Sequence, residues 1–151
     1  MNPASPPSVR VLIAEDNLIS RRVVAKMAEL LGCAYVEVEN GREAVEACEV
    51  GDYDLILMDI EMPEMDGLEA AAALRDRYAA RGKKKPRIVA VTGEMVLEGE
   101  GMERYRKAGF DAWLGKPMKM EELQLILVGM CPDSGASWVN WGIAKPGTAA
   151  G

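Results

Sequence analysis

Carboxylates follow two short apolar segments of this chain. Glu15 and Asp16 come directly after residues 9–14, and Asp59 ends the segment DLILMD at residues 54–59, before a loop rich in methionine, proline and glycine. Buried parallel strands read as continuous apolar runs, and ligand sites in open α/β sheets lie beyond the carboxyl ends of the strands. We therefore predict that Asp59 lies where chemistry occurs, although many strands end in aspartate for turn formation alone.

A hydroxyl and an amine follow two further apolar segments. Thr92 comes after residues 87–91, and Lys116 comes near the end of a short run that begins at Trp113. In a parallel sheet these ends lie along one edge, so the acids, the hydroxyl and the amine form one predicted constellation. Each has a plainer interpretation when taken alone: the first acids as helix caps, Thr92 as a β-branched strand residue, and Lys116 as a surface lysine.

Five segments of strand character alternate with five of helical character, and these elements must position the constellation. Strands are predicted at residues 9–14, 34–38, 53–58, 87–91 and 111–114, and helices at residues 18–31, 41–50, 67–78, 97–108 and 120–130. The alternation predicts a parallel sheet with helices on both faces, joined by right-handed crossovers. The third strand is the most apolar and should be central.

Helix starts and buried faces can also be predicted. Residues 40–43 and 66–69 read as capping boxes. Apolar spacing predicts an inward face of Val23, Met27, Leu30 and Leu31 on the first helix, and of Leu123, Ile126, Leu127 and Met130 on the last. The fourth helix contains Gly99 and Gly101, each costing up to about 1 kcal/mol relative to alanine. It should therefore be the least stable helix.

Composition excludes several classes of function. The 151 residues suit one domain, and their net charge of −6 argues against a nucleic-acid surface. The absence of histidine excludes His-based metal sites, a Ser-His-Asp triad, and any histidine kinase or histidine phosphotransfer role within this chain. Three cysteines without a CxxC pair indicate a reducing, cytoplasmic compartment. No apolar run is long enough for membrane insertion.

Three segments outside the predicted site have plain interpretations. Residues 1–8 lack the basic and apolar regions of a signal peptide and are predicted to be a flexible lead-in. Residues 132–151 are rich in glycine, alanine and serine, with Trp138 and Trp141 as their bulky residues, and are predicted to be a flexible tail or linker. The basic run at residues 83–85 is interpreted as a solvated loop.

The motifs at the strand ends resemble those of a known family. Glu-Asp-Asn follows the first strand, Met-Asp-x-x-Met-Pro-x-Met-Asp-Gly the third, Thr-Gly the fourth and Lys-Pro the fifth. This order resembles the receiver domain of two-component response regulators, and most of all the receivers of hybrid sensor histidine kinases. The resemblance covers residues 9–130 and implies a domain at residues 9–131. Its implied fold is a flavodoxin-like, doubly wound parallel sheet of five strands in the order 2-1-3-4-5.

The resemblance also implies a chemistry for the site. Asp59 would be the phosphoacceptor, taking a phosphoryl group from phosphohistidine on a histidine kinase or a histidine phosphotransfer protein. Mg²⁺ would be bound by Asp16, Asp59, the backbone carbonyl of Glu61, and Glu15 acting through water. Lys116 would bring positive charge to the same phosphoryl oxygens, and the Lys-Pro peptide bond should be cis.

A conformational switch is implied as well. Thr92 would donate a hydrogen bond to the phosphoryl oxygens and draw its loop inward, reshaping a docking face around the fourth helix, fifth strand and fifth helix for an unidentified downstream protein. Trp113 stands where the family usually carries Tyr or Phe, and core packing alone could explain it. Glu61 and Glu94 would border the path of attacking water, either repelling or orienting nucleophiles, or remain solvated loop charges.

The main alternative is a magnesium-dependent phosphohydrolase with an aspartyl-phosphate intermediate. Such enzymes commonly carry a second aspartate two positions after the nucleophile, where this chain has Glu61. They also need a cap or substrate pocket, for which the chain is short. A degenerate receiver acting as a scaffold is a third hypothesis, disfavoured because every expected site residue is present. The favoured function is a receiver that catalyses only its own phosphoryl transfer and autodephosphorylation, and is otherwise not an enzyme.

Overall fold

The computed structural model describes residues 9–93 and 100–129, in which strands and helices alternate as predicted. The strands are β1 (Arg10–Ala14), β2 (Ala34–Val38), β3 (Leu55–Asp59), β4 (Arg87–Thr92) and β5 (Ala112–Gly115). The helices are α1 (Leu18–Leu30), α2 (Gly41–Val50), α3 (Gly67–Arg81), α4 (Glu100–Ala108) and α5 (Met120–Gly129). The predicted lead-in at residues 1–8 and tail at residues 132–151 lie outside the described residues, as does Glu94.

All five strands are parallel and lie in the order β2-β1-β3-β4-β5, which confirms the predicted topology. β3 is central and every residue of it is buried. In the strand register, Asp59 of β3 pairs with Val91 of β4, and Thr92 pairs with Gly115 of β5. The carboxyl ends of these strands therefore meet at one edge of the sheet.

Helices cover both faces of the sheet, and each face has its own core. Side chains of successive strand residues point to opposite faces, so Leu12, Ile56 and Ile88 pack with residues of α2 and α3, whereas Val11 and Leu57 pack with residues of α1 and α5. The central strand β3 is apolar up to Asp59 because both of its faces are buried, whereas the edge strand β2 has no buried residue.

Short polar side chains begin the first three helices. Asn17 caps α1 by accepting a hydrogen bond from the amide of Ser20, so neither Glu15 nor Asp16 is the cap. Asp66 and Glu69 form the predicted capping box of α3. In α2 only half of the predicted box forms. Asn40 Oδ1 accepts from the amide of Glu43, but the Glu43 carboxylate accepts from the amide of Glu39 instead of that of Asn40.

The predicted inward face of α1 is wrong in part. Val23 and Leu30 are 49% and 65% exposed, while the fully buried residues of the helix are Ala25 and Ala28. The prediction placed the larger apolar residues inward. The helix instead buries its small alanines, because they let it approach the sheet closely. Met27 and Leu31 are partly buried, as expected.

The last helix follows the sequence prediction more closely, whereas one lysine of the basic run does not. On α5, Leu123 and Ile126 are buried and Leu127 is partly buried, as predicted, while Met130 and residues 94–99 lie outside the described residues. Lys85 corrects the interpretation of a solvated basic run, since its amine pairs with Asp111 at 3.2 Å and is half-buried. Among the described residues, no helix combines the length and apolar character needed to span a bilayer.

Candidate functional site

Three carboxylates meet at the carboxyl edge of the sheet. Glu15, Asp16 and Asp59 each offer an oxygen within 4.8 Å of the others. The cluster forms because β1 and β3 are adjacent strands, so the loop after one lies beside the end of the other. Glu15 and Asp59 are each only 5% exposed, whereas Asp16 is open to solvent. The site thus has two buried carboxylates and one accessible carboxylate.

Lys116 lies against the buried pair. Its Nζ is 3.0 Å from Asp59 Oδ2 and 2.5 Å from Glu15 Oε1. The peptide bond before Pro117 is cis, as expected, and the amide of Lys116 donates to the carbonyl of Thr92 at 2.9 Å. This hydrogen bond joins the end of β5 to the end of β4 and places the Lys116 side chain beside the acids.

The electrostatics of the site favour a bound cation. Burial acts to lower the pKa of Lys116, but its hydrogen bonds and charge interactions with Glu15 and Asp59 raise the pKa above the ordinary lysine value. Asp16 is exposed but loses part of its hydration beside the buried acids, and this desolvation is the first cause of its raised pKa, followed by the hydrogen bond and negative charge of Glu15. Lys116 therefore stays protonated. Its single positive charge does not neutralise the three carboxylates, so negative charge remains in excess. Oxygen donors with surplus negative charge fit the coordination chemistry of Mg²⁺.

The loop after β3 brings backbone to Asp59. The amide of Glu61 donates to Asp59 Oδ1 at 3.3 Å, and the Glu61 side chain points to solvent. The amide of Gly67 donates to the carbonyl of Ile60 at 2.9 Å and closes the base of the loop. A Cβ at Gly67 would lie 2.4 Å from the carbonyl oxygen of Asp59, so only glycine permits this approach.

Arg21 is a site-supporting residue that the sequence prediction missed. Its Nη1 donates to the carbonyl of Glu15 at 3.1 Å, and its Nε donates to Glu37 on β2 at 3.1 Å. The side chain is 11% exposed, and Arg22 pairs with the other oxygen of Glu37. Arg21 therefore anchors the acidic loop to the neighbouring strand. Hydrophobic spacing gave no signal for it, because Ala25, one helical turn further along α1, lies outside the predicted inward face.

The two predicted switch residues occupy different environments. Thr92 ends β4 and is buried, at 2% exposure. Trp113 is half-buried, pairs in register with Ala90, and packs against the core that contains Tyr105 of α4. The same face of the sheet thus carries both residues, with the ring of Trp113 beside the α4 layer.

An apolar cavity and an exposed apolar surface flank the acids. The cavity, of 280 Å³, lies between α1 and the loop before α5 and includes Val23, Lys116 and Met118 among its lining residues. Next to it on α1, Leu18 and Ile19 are 59% and 75% exposed. We call Leu18, Ile19 and Val23 the α1 apolar surface. Exposed apolar side chains grouped this closely are typical of protein interaction sites.

A doubly wound parallel sheet in this strand order defines the flavodoxin-like class of α/β domains. Residues 11–128 match the family model of the response regulator receiver domain, and the chain belongs to that family. It is 36% identical over 125 residues to hybrid signal transduction histidine kinase G of Dictyostelium discoideum, covering 82% of this chain and 4% of that protein. It is 33% identical over 126 residues to sensor protein GacS of Pseudomonas syringae, covering 83% and 14% respectively.

Solved receiver domains have the same fold. The receiver of Ssk1 from Saccharomyces cerevisiae, solved with the histidine phosphotransfer protein Ypd1, has a TM-score of 0.76 and 27% identity, covering 87% of this chain and 97% of that one. The receiver of sensor histidine kinase PA1611 from Pseudomonas aeruginosa, solved with magnesium in its active-site cleft, has a TM-score of 0.66 and 33% identity, covering 80% and 95%. The chain therefore covers nearly all of these two receiver domains but only a small part of its hybrid-kinase relatives.

Proposed function

We propose that Asp59 accepts a phosphoryl group from phosphohistidine on a histidine kinase or a histidine phosphotransfer protein. The observation that carries this proposal is the placement of a buried Asp59 carboxylate 3.0 Å from the amine of Lys116, within a three-carboxylate cluster. The Ssk1 receiver supports the choice of partner, since it was solved with a histidine phosphotransfer protein.

The chemical step is an in-line displacement at phosphorus. An oxygen of Asp59 forms the new P–O bond while the P–N bond to the donor imidazole breaks, leaving an acyl phosphate on Asp59 and returning the electron pair to the imidazole nitrogen. Lys116 holds its proton and places positive charge beside the oxygens that gain charge. The amide of Glu61, already directed at Asp59, is a further donor to those oxygens.

Residues suited to hold Mg²⁺ are Asp16, Asp59, the backbone carbonyl of Glu61, and Glu15 acting through water. Their oxygens match the preference of Mg²⁺ for hard ligands and retained water, and bound Mg²⁺ supplies neutralisation of the phosphoryl charge. The magnesium in the cleft of the PA1611 receiver supports this assignment. The solvent exposure of Asp16 leaves the ion a route of entry.

The phosphodonor would dock on the α1 apolar surface. That surface and the adjoining cavity border Lys116, so a partner bound there can bring a histidine to Asp59. Phosphorylation would then act through Thr92 and Trp113 on the surface of α4, β5 and α5, where a downstream protein would bind.

We further propose that residues 9–131 form the domain and that the domain processes no external substrate. We also propose that it works in the cytoplasm, which the free thiols of Cys33 and Cys48 support.

Phosphoryl transfer from a panel of purified phosphohistidine donors tests the proposal. Wild-type protein should acquire an acid-stable, alkali-labile phosphate that maps to Asp59, and Asp59→Asn should acquire none. Wild-type labelling of Asp59→Asn at another residue would overturn the assignment. Steady turnover of small phosphate esters by the wild-type protein would favour the phosphohydrolase instead.

A further inference from the structure

Glu64 has an unusual backbone conformation in the loop after β3. It is the one described residue other than glycine with a positive φ, 65°. The amide of Met65 donates to the carbonyl of Pro63 at 2.7 Å, so Glu64 is the central residue of a three-residue turn. Residues with a Cβ adopt such a conformation at a cost, which other contacts must offset.

The Glu64 side chain has contacts that can offset the cost. Its Oε2 accepts a hydrogen bond from Nδ2 of Asn40 at 2.9 Å and lies 3.3 Å from Nη2 of Arg42. Arg42 and Glu64 are both about half exposed, so their ion pair contributes little, whereas Asn40 is only 6% exposed. The Asn40–Glu64 hydrogen bond, which we call the loop clasp, is therefore the main side-chain contact at this turn.

The start of α2 makes a second contact with the same loop. The amide of Gly41 donates to the carbonyl of Met65 at 2.9 Å, and a Cβ at Gly41 would lie 2.4 Å from that oxygen. Asn40 also caps α2 through Oδ1, so its amide group is fixed at both ends. The tip of the loop is thus held by a rigid helix start, while Gly67 holds its base.

We propose that Asn40 and Glu64 are positioning residues, and that the loop clasp holds the backbone of Glu61 beside Asp59 for binding of Mg²⁺ and the phosphoryl group. This inference rests on the proposed function. Glu61 is three residues from Glu64 in the same short loop, and its amide contacts Asp59 at 3.3 Å. Without the loop clasp, the Gly41–Met65 hydrogen bond alone would join the tip of the loop to α2. The loop would then sample other positions of Glu61, so binding of the ion would have to order it first.

Substitutions at Glu64 separate positioning from stability. Glu64→Gly removes the carboxylate but suits a positive φ, so the melting temperature should be unchanged or higher while Mg²⁺ affinity falls. Glu64→Gln keeps an oxygen that can accept from Asn40, so it should retain most of the affinity. Glu46→Gln removes another carboxylate near Arg42 and serves as a matched control with wild-type affinity.

Asn40→Ser tests the clasp from its other end. Serine still caps a helix well, but its short side chain does not reach Glu64. We expect Asn40→Ser and Glu64→Gly each to weaken Mg²⁺ binding about tenfold in calorimetric titration, in the range for outer-shell partners of metal ligands. The double variant should bind Mg²⁺ no more weakly than either single variant, because each substitution already removes the same hydrogen bond. Amide exchange at residues 60–66 should accelerate in all three.

The outcomes separate the two proposals. Wild-type affinity and loop exchange in both Asn40→Ser and Glu64→Gly would overturn the positioning role and leave the magnesium site intact. A lower Mg²⁺ affinity together with a lower melting temperature in Glu64→Gln would show a merely structural effect. That result would overturn the positioning role as well. Failure of the wild-type protein to bind Mg²⁺ would overturn the proposed function together with this inference.

Discussion

The amine of Lys116 lies closer to Glu15 than to Asp59, at 2.5 Å against 3.0 Å. One cation is therefore shared by a carboxylate from the loop after β1 and a carboxylate at the end of β3. Mg²⁺ bound as proposed, with Glu15 acting through water, would draw on the same Glu15 oxygens as the lysine. Lysine and magnesium would then compete for Glu15, although both would bring positive charge to the same place.

Lys116→Met should tighten Mg²⁺ binding several-fold but slow phosphoryl transfer to Asp59 by more than tenfold. The first effect follows from the removal of a competing cation, and the second from the lost charge at the phosphoryl oxygens. Calorimetric titration and single-turnover transfer would measure the two. Lys119→Met, at an exposed lysine three residues on, is the matched control. Weaker Mg²⁺ binding in Lys116→Met would contradict the competition.

The stability that Lys116 provides should depend on pH in the alkaline range. Its pKa in the folded protein is raised above the ordinary value of 10.5. The folded state thus holds this proton more tightly than the unfolded state, so the contribution is complete below about pH 10.5 and is lost as pH rises through the folded value. In EDTA, the melting temperature of the wild-type protein should exceed that of Lys116→Met at neutral pH, with the gap closing as the pH rises above 10.5. A constant gap would argue against this linkage.

Asp16→Asn should weaken Mg²⁺ binding at least tenfold, yet stabilise the protein in EDTA at neutral pH. The pKa of Asp16 is raised, so folding disfavours its charged form, and the neutral amide removes that penalty above the ordinary pKa of 3.8. Because Asp16 is largely exposed, the gain should be small. In thermal melts, the variant should have the higher melting temperature in EDTA, and the wild-type protein should have the higher one with Mg²⁺. Unchanged Mg²⁺ affinity would sink the metal-site proposal.

Thr92→Ala should keep phosphorylation but uncouple it from the conformational change. Removal of the hydroxyl leaves Asp59 and Lys116 in place. It deletes the hydrogen-bond donor that would move toward the phosphoryl oxygens. Fluorescence of Trp113 after addition of beryllofluoride would report the change, in a background carrying Trp138→Phe and Trp141→Phe. A normal response of Thr92→Ala in that background would show that this hydroxyl is not the switch.

α4 should have the fastest amide exchange of the five helices, and the exchange should slow when beryllofluoride binds. Gly101 lies within the helix and weakens it, and segments that switch are drawn from the least stable parts of a fold. Hydrogen–deuterium exchange resolved by peptide would test this, with α3 as the internal reference. Equal exchange in all five helices, unaltered by beryllofluoride, would contradict it.

The sequence by itself determined the alternation of strands and helices, the central place of β3, and the appearance of acids, a hydroxyl and an amine after the strands. These features depend on local periodicity and on the rule that parallel strand ends share an edge, and both can be read along the chain. The resemblance of the motifs then led to the strand order and to the family.

Only the tertiary structure decided which residues support the site. Arg21 joins the loop after β1 to Glu37, which is 16 positions away on β2, and Asn40 meets Glu64 across 24 positions. The buried face of α1 likewise runs through Ala25 and Ala28, since the distance between helix and sheet selects small residues there. Such contacts depend on how elements pack in three dimensions, and one-dimensional hydrophobic spacing does not encode that distance.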